Sequence, residues 1–228
     1  ATIATLAFVT TTVSSDEPNL VSSFQRIGPS VGALYAVSDQ GSLGFNCTVT
    51  AVDKSGSDLI VLTAHHCVTK GISYLVSFDG KQFYPAQVFK LPGEEVDPQK
   101  YRRRYHEPKV DMALFLVSGA SAPTVDIGTD ADVKAGTRIL VVGFPLGISK
   151  INYEGIVAGR LDRPGADNHG YILLQSWGAP GSSGSAVISA STGKVIGVLV
   201  SVAGGVVGLP VIFATPISYK DKLRGVKE

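Results

Sequence analysis

The chain has 228 residues, 44% of them hydrophobic and 17% charged, with a formal net charge of +1. That balance gives no reason to invoke nucleic acid or an anionic membrane as the main partner, and no apolar run approaches the roughly 20 residues that span a bilayer. The length suits a two-lobed β protein acting as one unit, and the many Val, Ile and Thr residues favour strands over helices.

The sequence begins at Ala1 with no basic segment leading into an apolar one, and it reads as a mature or trimmed chain. Residues 1–13 are Thr- and β-rich and predict an arm strand, which either pairs within its own sheet or mediates self-association; oligomeric state is left open. Ser15, Asp16 and Pro18 are helix-start residues, followed by Leu20, Val21 and Phe24 on one face up to Arg26. From Val31 onward, short apolar segments alternate with Gly, Asp, Ser and Pro turns, at 31–37, 44–52, 59–64, 73–79, 83–90 and 110–117. This spacing predicts an antiparallel barrel or sandwich. Residues 118–135 lose the strand pattern and read as a connector. Strand-like segments resume at 137–143, 151–160, 171–176, 185–190, 194–202 and 210–214, and the tail after Pro216 predicts a short closing helix. The expected organisation is a first β unit with its arm and helix over 1–117, a connector over 118–135 and a second β unit with the tail over 136–228.

Three strings carry chemistry: LTAHHCV at 62–68, VDMALFLV at 110–117 and GAPGSSGSAV at 178–187. A serine hydroxyl is a poor nucleophile until a base takes its proton as it attacks, and an imidazole is the usual base near neutral pH. A lone aspartate entering an apolar run, as Asp111 does, needs a partner, because an unpaired buried carboxylate is costly. Glycines around a serine permit a tight turn that aims backbone N–H groups at one point. Three serines compete for the nucleophile (Ser182, Ser183 and Ser185), and two histidines, His65 and His66, compete for the base.

Taken together, and in this order, the strings resemble the chymotrypsin-type (trypsin-like) serine peptidases, most closely the HtrA/Deg-type bacterial branch and its secreted and viral relatives. The resemblance is motif-level. It runs over roughly residues 18–218 and includes VVGFPLG at 141–147, NYEGIV at 152–157 and GKVIG at 193–197. It implies an all-β, chymotrypsin-like double antiparallel β-barrel with a short helix near each end. The Gly-x-Ser-Gly frame selects Ser183 as nucleophile, with the N–H groups of Gly181 and Ser183 as the oxyanion hole. Thr-Ala-x-His-Cys selects His66 as general acid/base, although His65 stands where a small residue is usual, so a swap of roles stays open. Asp111-Met112-Ala113-Leu114 matches the family's Asp-Ile-Ala-Leu and makes Asp111 the group that orients His66. Activity is then expected to rise with pH around pH 7 as His66 loses its proton.

The resemblance also bears on specificity. Six residues before the nucleophile is Trp177, at the floor of the primary pocket unless it turns away into the second core. Val200 and Ser201 fall on the wall strand, with Gly204 and Gly205 beyond. No acidic residue is available there to attract Lys or Arg, so a small or apolar residue is expected before the scissile bond. Cys47 and Cys67, the only two cysteines, fall on the two arms of a hairpin joined by the polar segment DKSGS. Many family members have a disulfide in that place, which implies an oxidising, secreted or extracytoplasmic setting; two buried free thiols are the alternative. The acyl-enzyme route needs no cofactor, and the sequence presents no metal-ligand cluster. The expected partner is a protein or peptide substrate. The basic run from Lys100 to His106 interleaves aromatics with cations, as RNA-binding segments do, but acidic Glu94, Glu95 and Asp97 precede it, and a solvated loop is the expectation. His106 and His169 fall in polar loops. Three rival readings remain: a protease-like fold that has lost turnover and only binds peptides, a hydrolase acting on non-peptide esters with the same triad, and a viral polyprotein-processing protease.

Overall fold

The computed structural model describes residues 19–92, 110–161, 170–203 and 211–225. The predicted arm, the helix-start residues Ser15 to Pro18, the basic run from Lys100 to His106, His169 and Gly204–Gly205 lie outside the described residues. A single helix, α1 (Leu20–Ile27), opens the described chain, and the Asn19 side chain caps it by accepting from the Ser22 N–H at 3.2 Å. Ile27 is buried, and Leu20 and Phe24 pack on the core beside it, the i, i+4, i+7 face of an amphipathic helix. Val21, expected on that face, points to solvent; it lies about 100° around the helix from Leu20.

Six strands follow: β1 (Val31–Val37), β2 (Leu43–Ser55), β3 (Asp58–Thr63), β4 (Ser73–Ser77), β5 (Tyr84–Pro92) and β6 (Ala113–Val117). They run in the order β5-β4-β1-β2-β3-β6, and β5 pairs with β6 to close the sheet. Along β6, Ala113, Phe115 and Val117 point inward and are fully buried, while Leu114 and Leu116 are only partly buried, the period-two signature of a barrel wall. The expected strand at 110–117 starts three residues late because Asp111 turns toward His66 instead of entering the ladder.

The second half is a closed antiparallel barrel of six strands: β7 (Arg138–Gly143), β8 (Ile151–Leu161), β9 (Tyr171–Gln175), β10 (Ala186–Ser189), β11 (Val195–Ala203) and β12 (Val211–Pro216). The architecture is the chymotrypsin-like double barrel. The closing helix is a six-residue 3-10 turn, Ile217–Lys222. The chain then returns to the first barrel, where β13 (Leu223–Gly225) pairs with β5. One buried cluster fills the first barrel and runs on into Leu140, Val142, Ala186, Ile188 and Val198 of the second; another fills the interior of the second barrel around Ile139, Val141 and Ile172.

Candidate active site

His66 sits on a one-turn 3-10 helix (His65–Cys67) that follows β3, and Asp111 immediately precedes the next strand, β6, to which β3 is paired. The Asp111 carboxylate is 5% exposed and receives two N–H groups from one residue: the His66 backbone amide on Oδ1 at 2.9 Å, and its ring Nδ1 against Oδ2 at 2.7 Å. Two bonds to one carboxylate fix both the turn and the plane of the ring. A proton held on Nδ1 by the carboxylate leaves Nε2 as the unprotonated ring nitrogen, the tautomer a general base needs. From below, the Thr215 hydroxyl donates to the Asp111 carbonyl at 3.2 Å.

His65 has a different environment. It is half-buried, and its Nδ1 has no hydrogen-bond partner. Burial pushes its imidazole below the ordinary value, an effect opposed by the Asp111 charge and reinforced by His66. The structure therefore brings Asp111 to the ring of His66 and not to that of His65.

A disulfide joins Cys47 to Cys67 with Cα atoms 6.2 Å apart, and the Asn46 amide donates to the Cys67 carbonyl at 2.6 Å. Both bonds tie the histidine turn to β2. The one grouping of His, Cys and acidic ligand atoms among the described residues is Cys47, His66 and Cys67. Its two sulfurs are joined to each other, so they are not thiolate ligands for a metal.

Ser183 lies on the turn between Trp177 and β10. Its carbonyl accepts from the Thr48 N–H at 2.9 Å, which places it against β2 one residue from the disulfide. Gly181 and Gly184 have φ of +92° and +87°, conformations open mainly to glycine. A Cβ on Gly181 would come 2.7 Å from the Phe144 carbonyl, and one on Gly184 would strike the Thr48 carbonyl and the Thr63 hydroxyl. The direction of the two N–H groups follows from the planar trans peptide, whose carbonyl and N–H point opposite ways. The Pro180 carbonyl is held by the Leu146 N–H at 2.7 Å, so the Gly181 N–H faces away from Leu146. The Ser182 carbonyl is held by the Ser185 N–H at 3.1 Å, so by the same geometry the Ser183 N–H points away from Ser185.

Trp177 is 47% exposed and does not enter the second core; its ring meets that of Tyr153 edge-on at 5.7 Å. Burial pushes the Tyr153 phenol above its ordinary value, and the nearby Ser182 and Ser185 hydroxyls oppose that rise. Val200 is buried and Ser201 half-buried on β11, at a bulge between Leu199 and Ser201. The sequence assigns no role to Thr48, to the 144–146 segment or to Tyr153; the last two fall in strings that carry the resemblance without announcing chemistry.

A barrel pair with an aspartate-held histidine on one barrel and a glycine-built serine turn on the other is the arrangement of the trypsin-like peptidases. The family model for the trypsin-like peptidase domain matches residues 47–198, and the chain belongs to that family. A probable periplasmic serine endoprotease, DegP-like, from Pseudomonas putida is 29% identical over 165 residues, and one from Ectopseudomonas mendocina is 30% identical over 165 residues; in both cases 71% of this chain is covered. The chain spans 31% of the length of each of these relatives. Among solved structures, the HtrA-type protease AlgW with decapeptide superposes with a TM-score of 0.66 at 18% identity, covering 88% of this chain and 64% of that one. The inactive form of Rv3671c from Mycobacterium tuberculosis superposes with a TM-score of 0.64 at 18% identity, covering 90% and 91%. At that identity these structures speak to the fold alone.

Proposed function

We propose that this chain is a serine endopeptidase that cleaves peptide bonds through an acyl-enzyme on Ser183. The observation that carries the reading is the double hold of Asp111 on His66, at 2.9 and 2.7 Å, together with a serine turn pinned to β2 by the Thr48 N–H and built on the positive-φ residues Gly181 and Gly184. As Ser183 Oγ bonds to the scissile carbonyl carbon, His66 Nε2 takes its proton. The carbonyl π electrons move onto oxygen, where the Gly181 and Ser183 N–H groups receive the charge. The imidazolium, stabilised by Asp111, then protonates the leaving amine as the C–N bond breaks. Water, deprotonated by His66, attacks the acyl carbon and releases Ser183. Trp177, Val200 and Ser201 contribute to the primary pocket, and the apolar β11 favours a small or apolar residue before the scissile bond. The disulfide and the periplasmic designation of the DegP-like relatives support an extracytoplasmic setting. The bacterial origin of the relatives gives the viral reading no support.

Fluorophosphonate labelling with peptide mapping tests this function. Wild-type protein is expected to carry one adduct, on Ser183, which is absent in Ser183→Ala and His66→Ala. A folded wild-type sample that takes up no label would instead favour a protease-like binding module.

A further inference from the structure

We propose that Thr48 is a positioning residue for the reaction, acting from the first barrel to hold the serine turn of the second in its donating geometry; this rests on the reading of Gly181 and Ser183 as the oxyanion hole. Thr48 is fully buried in β2, and both its N–H and its hydroxyl are committed to this task. Its N–H donates to the Ser183 carbonyl at 2.9 Å. Its hydroxyl donates to the Gly181 carbonyl at 2.9 Å and accepts from the Phe144 N–H at 3.0 Å. Its carbonyl accepts from the Thr63 hydroxyl at 2.8 Å and forms the wall against which only a glycine fits at 184.

A hydroxyl has a single proton to give. Because the Phe144 amide occupies a lone pair, that proton is directed to Gly181. The same contact fixes Phe144 at the head of the segment whose Leu146 N–H grips the Pro180 carbonyl, and Leu146 holds a φ of +56° to do so, a conformation that bulky residues avoid. One hydroxyl thus anchors the peptide after Gly181 directly and the peptide before it through the 144–146 segment. Losing it would take the hydroxyl partner from the half-buried Gly181 carbonyl and Phe144 amide, and it would free the Pro180–Gly181 peptide to rotate its N–H out of line. The neighbouring residue, Cys47, tethers the turn that carries His66. Two successive positions of β2 therefore align the base and the oxyanion donors on one rigid strand.

The test is the second-order rate of fluorophosphonate labelling at Ser183 in wild type, Thr48→Val and Thr48→Ser, measured across pH and alongside thermal melting. Val keeps the shape and removes both side-chain bonds, and it is expected to slow labelling about 100-fold or more, the loss that follows removal of an oxyanion donor. Ser restores the hydroxyl and is expected to return the rate to within about fivefold of wild type. The midpoint of the pH profile should stay where it is, since His66 and Asp111 are untouched. Labelling of Thr48→Val at the wild-type rate, a Ser variant as slow as Val, or a pH midpoint that moves with the rate would each overturn the proposal. If Thr48→Val does not fold, Thr48→Ala takes its place in the same comparison. Absence of any label on wild-type Ser183 is a separate result: it refutes the peptidase reading, and the role of Thr48 falls with it.

Discussion

The adjacent imidazoles of residues 65 and 66 meet opposite surroundings: the His66 ring is a third exposed and bonded to Asp111, while the Nδ1 of His65 is buried without a partner. In the unfolded chain His65 takes up a proton near its ordinary pKa of 6.5, and in the folded protein burial resists that proton. Below pH 6.5 the unfolded state therefore binds more protons than the native one. Stability is complete above that pH and falls as the pH is lowered through the window beneath it. Replacing His65 with Asn removes this contribution, so melting temperatures measured from pH 8 to pH 5 should decline less steeply in the variant than in wild type. Parallel slopes would show that His65 does not titrate differently on folding. Residues such as His66, Asp111 and Ser183 could be read as candidates because each sits in a contiguous string with its own local reason to be there. Thr48 could not, because its hydroxyl partners lie 133 and 96 positions away, at Gly181 and Phe144; only the meeting of the two barrels reveals it.

At the scale of elements, two glycines with similar backbone conformations have different costs of replacement. Gly56 has φ of +61° at the first central position of the two-residue turn joining β2 to β3, and a Cβ there would meet nothing within 4 Å. Gly184 has φ of +87° and is enclosed by the Thr48 carbonyl and Thr63 hydroxyl. Gly56→Ala is therefore expected to cost about 1–2 kcal/mol, the left-handed penalty alone. Gly184→Ala adds a clash with the backbone and should cost about 3 kcal/mol or more. Denaturant unfolding of both variants checks the contrast, and equal costs would mean that the serine turn relaxes freely. The twelve barrel strands were visible in the sequence because each has β-rich composition and turn residues at its borders. Their ends were less visible: the DKSGS segment expected between β2 and β3 is only a two-residue turn, since Asp53, Lys54 and Ser55 continue the ladder beyond a bulge near Val52 and a positive φ at Gly56 suffices to reverse the chain. The strand β13 was invisible, because three residues that pair with a segment of the other barrel carry no periodicity of their own.

For the whole molecule, the question is whether the barrels are two cooperative units or one. Several connections cross between them. The larger buried cluster is continuous from Leu34 and Phe115 in the first barrel to Val142 and Val198 in the second. The Lys150 ammonium, on the segment entering β8, donates to the carbonyls of Gly28 at 2.7 Å and Phe78 at 3.2 Å. Thr48 bonds the serine turn, and β13 returns from the second barrel to pair with β5, burying Leu223 in the shared cluster. Opening either barrel alone would expose apolar surface of the other and leave buried carbonyls unpaired, so partly unfolded states pay in both. Calorimetry should show a single transition with equal calorimetric and van't Hoff enthalpies. Leu223→Ala, which removes a buried side chain from the crossing strand, should lower that one transition by about 2–4 kcal/mol without splitting it. Two resolved transitions in wild type would mean that the barrels fold independently. The alignment of His66 on one barrel with Ser183 on the other would then depend on local contacts at β2 alone. A single transition places that alignment under the stability of the entire chain, so substitutions remote from the site would weaken activity only as they unfold the protein.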